Sequence, residues 1–142
     1  MLQGKSVEEL VVGEKASFTK TISEADVYMF AGITGDLNPA HVNEEYAKGT
    51  IFKERIAHGI LSTGLISAVL GMQLPGPGNI YISQTVKFTA PVKIGDTITA
   101  EVEVLEINVE KNRVKLRTTC TNQNGQIVID GEAISMPVKK NK

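Results

Sequence analysis

His58 to Leu74 reads HGILSTGLISAVLGMQL, and the fold turns on how this stretch is housed. Wound as a helix, it carries apolar side chains on every side, so no face is left for solvent. Gly59, Ser62, Gly64, Ser67, Ala68 and Gly71 are small and let other backbone approach closely. The apolar run from Gly59 to Leu74 is shorter than the about 20 residues that cross a bilayer, and Ser62, Thr63, Ser67 and Gln73 interrupt it. It reads as a helix that the rest of the chain must surround. Pro75 and Pro77, in LPGPGN, end it.

What surrounds it follows in the sequence. Ile98, Ala100, Val102 and Val104 alternate with Thr97, Thr99, Glu101 and Glu103, and Val114, Leu116 and Thr118 alternate with Arg113, Lys115 and Arg117. Both are strand patterns with one apolar face. The outward cations of the second strand can face Glu101 and Glu103 across a hairpin. Asn124-Gly125 signals another hairpin, and Gly131 marks a bulge in the last strand. Ile80, Ile82, Val86 and Phe88 share a face with Gln84, which there needs a buried partner or a subunit boundary. The expected architecture is α+β: a curved antiparallel sheet wrapped around one apolar helix. Its edge strands stay bare unless a second subunit pairs with them.

Upstream, Ala16 to Ile22 reads as a strand. Ser23 and Asp26 have the spacing of a helix-capping box, and Val27, Phe30, Ala31 and Thr34 form an inward face. Gly35 closes that helix. Asp36 follows immediately, inside GITGDLNPAH (Gly32 to His41), five residues before one of only two histidines. Asn38-Pro39 stiffens the connection and pushes Asn38 towards an extended conformation. Two readings compete: Asp36 and Asn38 make an Asx turn, or Asp36 and His41 are a proton-transferring pair. Asn43 caps a second short helix, Glu44 to Lys48, ended by Gly49.

The 142 residues suit one domain, spanning the whole chain, with a sizeable core. Fifteen basic residues against 16 acidic ones, in no blocks, argue against nucleic acid as a partner. The basic end, Lys139, Lys140 and Lys142, reads as a frayed solubilising tail. Cys120 is the single cysteine and suits a reducing compartment. Met1 is followed by polar Gln3, Gly4 and Lys5 rather than an apolar leader, so a cytoplasmic location away from membranes is expected. No phosphate loop or dinucleotide fingerprint is present. Asp36, His41 and His58 lack the close-paired spacing usual for metal ligands, so no metal is expected.

FAGITGDLNPAH, IAHG at the start of the apolar helix, and VKFTAPVKIGD resemble, in that order, the MaoC-like hot-dog hydratases, the (R)-specific enoyl-CoA hydratases above all. Their best-known members feed polyhydroxyalkanoate synthesis. The likeness runs from about Glu14 to Pro137. It implies a hot-dog fold, a homodimer with a joined sheet, and reversible hydration of trans-2-enoyl-CoA to (R)-3-hydroxyacyl-CoA. Carried over by position, the catalytic pair falls on Asp36 and His41, an oxyanion donor on the Gly59 amide, and an active-site serine on Ser67. Coenzyme A would enter as part of the acyl-CoA substrate, with no separate cofactor.

That chemistry has three demands, and the residues address each. A water must be held and deprotonated as it attacks C3, a proton must reach C2, and the charge building on the thioester oxygen needs a donor. Asp36 is the candidate general base and acid, while His41 orients the water and shares the proton. Asn38 pins the loop through side-chain hydrogen bonds. Gly59, at a helix start, offers an amide without an intrahelical partner. His58 either lines the site or is a satisfied structural group. Ser67 either hydrogen-bonds near the pair or fills a buried polar position. Rival activities are an acyl-carrier-protein dehydratase, a hot-dog thioesterase and a non-catalytic acyl-CoA-binding module. The lack of Asp or Glu from Ile60 to Gly71 tilts against a thioesterase, and the joint presence of Asp36 and His41 speaks against the module.

Overall fold

The computed structural model of the protein describes residues 3–140. Five strands, β1 (Lys15–Thr21), β2 (Ile80–Phe88), β3 (Thr97–Asn108), β4 (Arg113–Thr121) and β5 (Ile127–Met136), form one antiparallel sheet in the order β1-β3-β4-β5-β2. A short 3-10 turn, Val7–Glu9, precedes β1. Between β1 and β2 run α1 (Glu24–Thr34), α2 (Pro39–Val42), α3 (Glu44–Lys48) and α4 (Gly59–Met72).

The strand alternation becomes burial directly. Ile98, Ala100, Val102, Val104, Leu116, Thr118 and Cys120 are fully buried on one face, against Leu61, Leu65, Ile66, Val69 and Leu70 of α4. Each such aliphatic side chain contributes about 1.5–3 kcal/mol on burial.

The helix, however, is not enclosed. Ile60, Gly64, Ser67 and Met72 of α4 are exposed, Ile60 at 54%, so a single chain leaves one face of the helix uncovered. The periodicity missed this because small and apolar residues stand where a solvated helix would place charges. Strand β2 is bare in the same way: Ile80, Ile82 and Phe88 are exposed at the edge of the sheet.

Two further expectations change. Gly131 sits in regular register, opposite Val86 and Thr118, and is no bulge. A Cβ there would lie 1.9 Å from the Thr85 carbonyl oxygen, so glycine serves the close approach of β2. The sheet's irregularities fall instead at Tyr81/Ser83, Val104/Glu106 and Cys120/Thr121. Gln84 needs no subunit boundary: its amide donates to Thr118 Oγ1 (2.8 Å) and the Thr85 carbonyl, and it accepts from the Tyr81 hydroxyl.

In the β3–β4 hairpin Arg117 stands opposite Glu103 as expected, but their ion pairs form with other strands. Glu101 and Glu103 reach Lys15 of β1, while Arg117 meets Asp130 of β5. The basic end is tied down at Lys140, 2.6 Å from Glu9, and this contact helps hold the Glu9 carboxyl at about 2. Lys142 lies outside the described residues. No helix among the described residues is long and apolar enough to cross a membrane.

Candidate active site

Helix α1 delivers Asp36. Ser23 accepts the Asp26 N–H and Asp26 the Ser23 N–H, starting the helix as the capping box requires. Gly35, at φ +80°, stops it and returns its N–H to the Ala31 carbonyl. The Thr34 hydroxyl then accepts the Asp36 N–H at 3.1 Å, so the chain direction at Asp36 is set.

The Asx-turn reading of the loop holds. Asp36 Oδ1 accepts the Asn38 N–H at 3.3 Å, an Asx turn. Asn38 Oδ1 in turn accepts the Ala40 N–H at 3.0 Å, and Pro39 occupies the first position of α2. Proline is favoured there, because the first amide of a helix has no intrahelical acceptor. His41 therefore rides on a short capped helix rather than on an irregular loop.

His41 Nδ1 lies 2.7 Å from the Ile56 carbonyl oxygen. A carbonyl only accepts, so Nδ1 carries the hydrogen, and in the neutral ring Nε2 keeps a free lone pair. The segment before α4 is held in place around it. Ala57 donates to the Val92 carbonyl at 2.7 Å, and Arg55 reaches Glu24, Glu44 and the Tyr28 hydroxyl. The Arg55 guanidinium, mainly by hydrogen bonding, holds Glu24 below the usual carboxylate range.

His58 is buried beside the pair and does not reach the cavity that opens next to it. A ring nitrogen of His41, one of His58 and a carboxylate oxygen of Asp36 all lie within 4.8 Å of one another. Sequence spacing concealed this grouping, because the chain returns to it only after α3. Both rings already give one nitrogen to a main-chain carbonyl, His41 to Ile56 and His58 to Asp36.

A cavity of about 430 Å³ opens beside this group, walled by His41, Phe52, Gly59, Phe88, Val92 and Ile129. Gly59 begins α4, and its N–H has no carbonyl partner among the described backbone hydrogen bonds. A Cβ on Gly59 would stand 2.6 Å from the Phe88 ring, so the glycine keeps this wall open. The first residue of a helix, whose amide lacks an intrahelical partner, thus lines a mostly apolar slot. Asp36 is exposed and stands beside His41 rather than on the cavity wall.

Ser67 is not brought to this group within the chain. It lies eight residues along α4, about 12 Å from Gly59, on the exposed face with Ile60 and Gly64. Three participants escaped the sequence reading: the Ile56 carbonyl, the Phe88 ring and the Arg55 tether. Only Arg55 had a signal, as a cation following two separated acidic helix starts at Glu24 and Glu44.

An antiparallel sheet packed on one apolar helix, with an acid and two imidazoles gathered beside the start of that helix, is the arrangement of a hot-dog domain. Residues 8–126 match the MaoC like domain, and the chain belongs to that family. It is 60% identical over 129 residues to an (R)-specific enoyl-CoA hydratase of Rhodospirillum rubrum, covering 91% of this chain and 89% of that one. It is 51% identical to a 3-hydroxybutyryl-CoA dehydratase of Methylorubrum extorquens, covering 94% and 84%. Among solved structures, R-hydratase PhaJ1 from Pseudomonas aeruginosa superposes with a TM-score of 0.92 at 50% identity, over 98% of this chain and 89% of that one.

Proposed function

We propose that the chain is an (R)-specific hydratase of trans-2-enoyl-CoA thioesters, and that it runs the dehydration of (R)-3-hydroxyacyl-CoA in reverse. The observation that carries this is the 2.7 Å contact of His41 Nδ1 with the Ile56 carbonyl: with Nδ1–H donated there, the neutral ring keeps a bare Nε2 on a cavity-lining side chain beside the Asp36 carboxylate. Two such acceptors on one water can take both its hydrogens, leaving its oxygen lone pairs for attack.

In the hydration direction the water oxygen bonds to C3 as the C2–C3 π electrons move towards the thioester carbonyl. Asp36 takes the water proton, and the charge on the thioester oxygen is met by the Gly59 N–H. One such donor is typically worth about 2.7–4 kcal/mol of barrier. The enolate then collapses and receives a proton from Asp36 at C2. The second water hydrogen, held by His41, stays on the new hydroxyl. The chemistry calls on the chain's own residues and the acyl-CoA substrate, with no separate cofactor.

Assembly belongs to the same proposal. The bare β2 edge and the uncovered α4 face are both apolar, and pairing two copies along β2 removes one edge from each sheet. A homodimer is expected by light scattering at assay concentration. For the activity, loss of enoyl absorbance is followed with crotonyl-CoA, beside free-thiol detection. The product should be the (R)-3-hydroxy thioester, silent with an (S)-specific 3-hydroxyacyl-CoA dehydrogenase. A robust signal from that coupling enzyme, or release of thiol in place of hydration, would overturn the assignment.

A further inference from the structure

His58 touches both members of the pair without touching the cavity. Its Nε2 lies 2.9 Å from the Asp36 main-chain oxygen. Its ring stacks on His41, with centroids 3.9 Å apart and planes at 33°. Phe30 of α1 closes the other approach at 4.7 Å. The side chain is 2% exposed, and Nδ1 finds no hydrogen-bond partner.

These contacts determine the tautomer. The Asp36 oxygen is a carbonyl and accepts, so Nε2 carries the hydrogen. A hydrogen on Nδ1 would be buried with no acceptor. His58 and His41 are therefore stacked imidazoles of opposite tautomer, one protonated at Nε2 and the other at Nδ1. Each gives its N–H to a carbonyl, and the two carbonyls belong to the two segments that carry the site.

We propose that His58 is a positioning residue for the hydration: it ties the Asp36 main chain to the start of α4 and sets the His41 ring plane, so that carboxylate and imidazole address one water. The proposal rests on the roles given to Asp36 and His41. It assigns His58 no contact with substrate and no proton transfer, because the cavity wall runs from Ala57 to Gly59 past it.

The experiment compares three purified variants on crotonyl-CoA. In His58→Gln the longer amide can still present an N–H where Nε2 stood. In His58→Asn the amide ends near the old Nδ1, where no acceptor waits, and His58→Leu has no donor. A misplacement of about 1 Å in a reacting group costs on the order of 10²-fold in rate. The Asn and Leu variants should therefore lose kcat on that scale with KM nearly unchanged, while Gln recovers on the order of tenfold. Equal loss in all three, or a rise in KM at constant kcat, would overturn the proposal. Asp36→Asn is run alongside: near-normal turnover there refutes the catalytic pair itself, whereas an inactive Asp36→Asn beside a fully active His58→Leu refutes only the role of His58.

A second measurement reads the tautomers in the parent protein. The chain has two histidines, so ¹⁵N-labelled imidazoles give two ring systems by NMR. One should report the Nε2–H tautomer, assigned to His58 by its loss in His58→Gln, and the other Nδ1–H. Finding His58 in the Nδ1–H form would overturn the proposal.

Discussion

The oxyanion donor is a main-chain group, so deleting it takes a proline rather than a side-chain truncation. Position 59 suits the experiment. It is the first residue of α4, where proline is favoured and no intrahelical hydrogen bond is lost. The preceding residue must be extended, and His58 already has φ −59° and ψ 130°. The obstacle is Phe88, whose ring lies 2.6 Å from any Cβ placed at 59. Overpacking of this kind typically costs about 1–3 kcal/mol. Phe88 is 53% exposed, so trimming it opens space without hollowing the core.

The comparison is therefore made in a Phe88→Ala background, between Gly59→Ala and Gly59→Pro. Both add a Cβ at the same place, and only proline removes the N–H. If that amide meets the developing charge, kcat for crotonyl-CoA hydration should fall by about 10²–10³ between the alanine and proline forms. Circular dichroism and light scattering confirm that both remain folded and equally assembled. A proline form as fast as the alanine form would refute the oxyanion role of Gly59, whatever the alanine substitution does by itself.

His41→Asn keeps an amide N–H near Nδ1, able to hold the Ile56 carbonyl, and deletes Nε2; with Asp36→Asn, it should lower kcat by about 10²–10⁴-fold while each protein stays folded by circular dichroism. Asp26, held low first by Lys20, and Glu24, held low first by Arg55, add stability above their unfolded-chain values and lose it as pH falls through their lower folded ones. Lys20→Met and Arg55→Met should therefore show a flatter loss of stability than the parent between about pH 5 and pH 2, measured by urea denaturation; an unchanged slope would count against both ion pairs. Burial pushes the Cys120 thiol up to about 12, and its S–H points at the Ser62 carbonyl. Iodoacetamide should leave the native protein unlabelled and label it only after denaturation, as read by mass spectrometry.

The legible parts of this fold are those where neighbours in sequence settle the outcome. Alternation places Ile98 to Val104 inward because a strand has period two. Ser23, Asp26 and Gly35 bound α1 because caps act within four residues. The same local logic failed at α4, where composition implied burial on all sides and the single chain leaves Ile60 and Ser67 exposed. Coverage is decided by what packs there, and a composition rich in glycine and serine does not say whether that is the same chain. Gly131 failed for a related reason, since its need is set by Thr85, on a strand far away in sequence.

The site divides along the same line. Asp36 and His41 were visible as an acid and an imidazole in one motif, but their geometry is held from outside it. His41 is aimed by the carbonyl of Ile56, 15 residues on, and the Asp36 main chain is held by His58, 22 residues on. Each bond runs from a side chain of one segment to a main-chain oxygen of the other. The α1–α2 connection and the start of α4 therefore orient each other, and neither is set by its own sequence alone. A carbonyl's direction is a property of backbone conformation, which every residue type shares. This is why the sequence left His58 with two open readings. It also follows that the 51–57 segment, which carries none of the proposed proton-transferring groups, can alter the chemistry wherever a substitution shifts the carbonyl of Ile56.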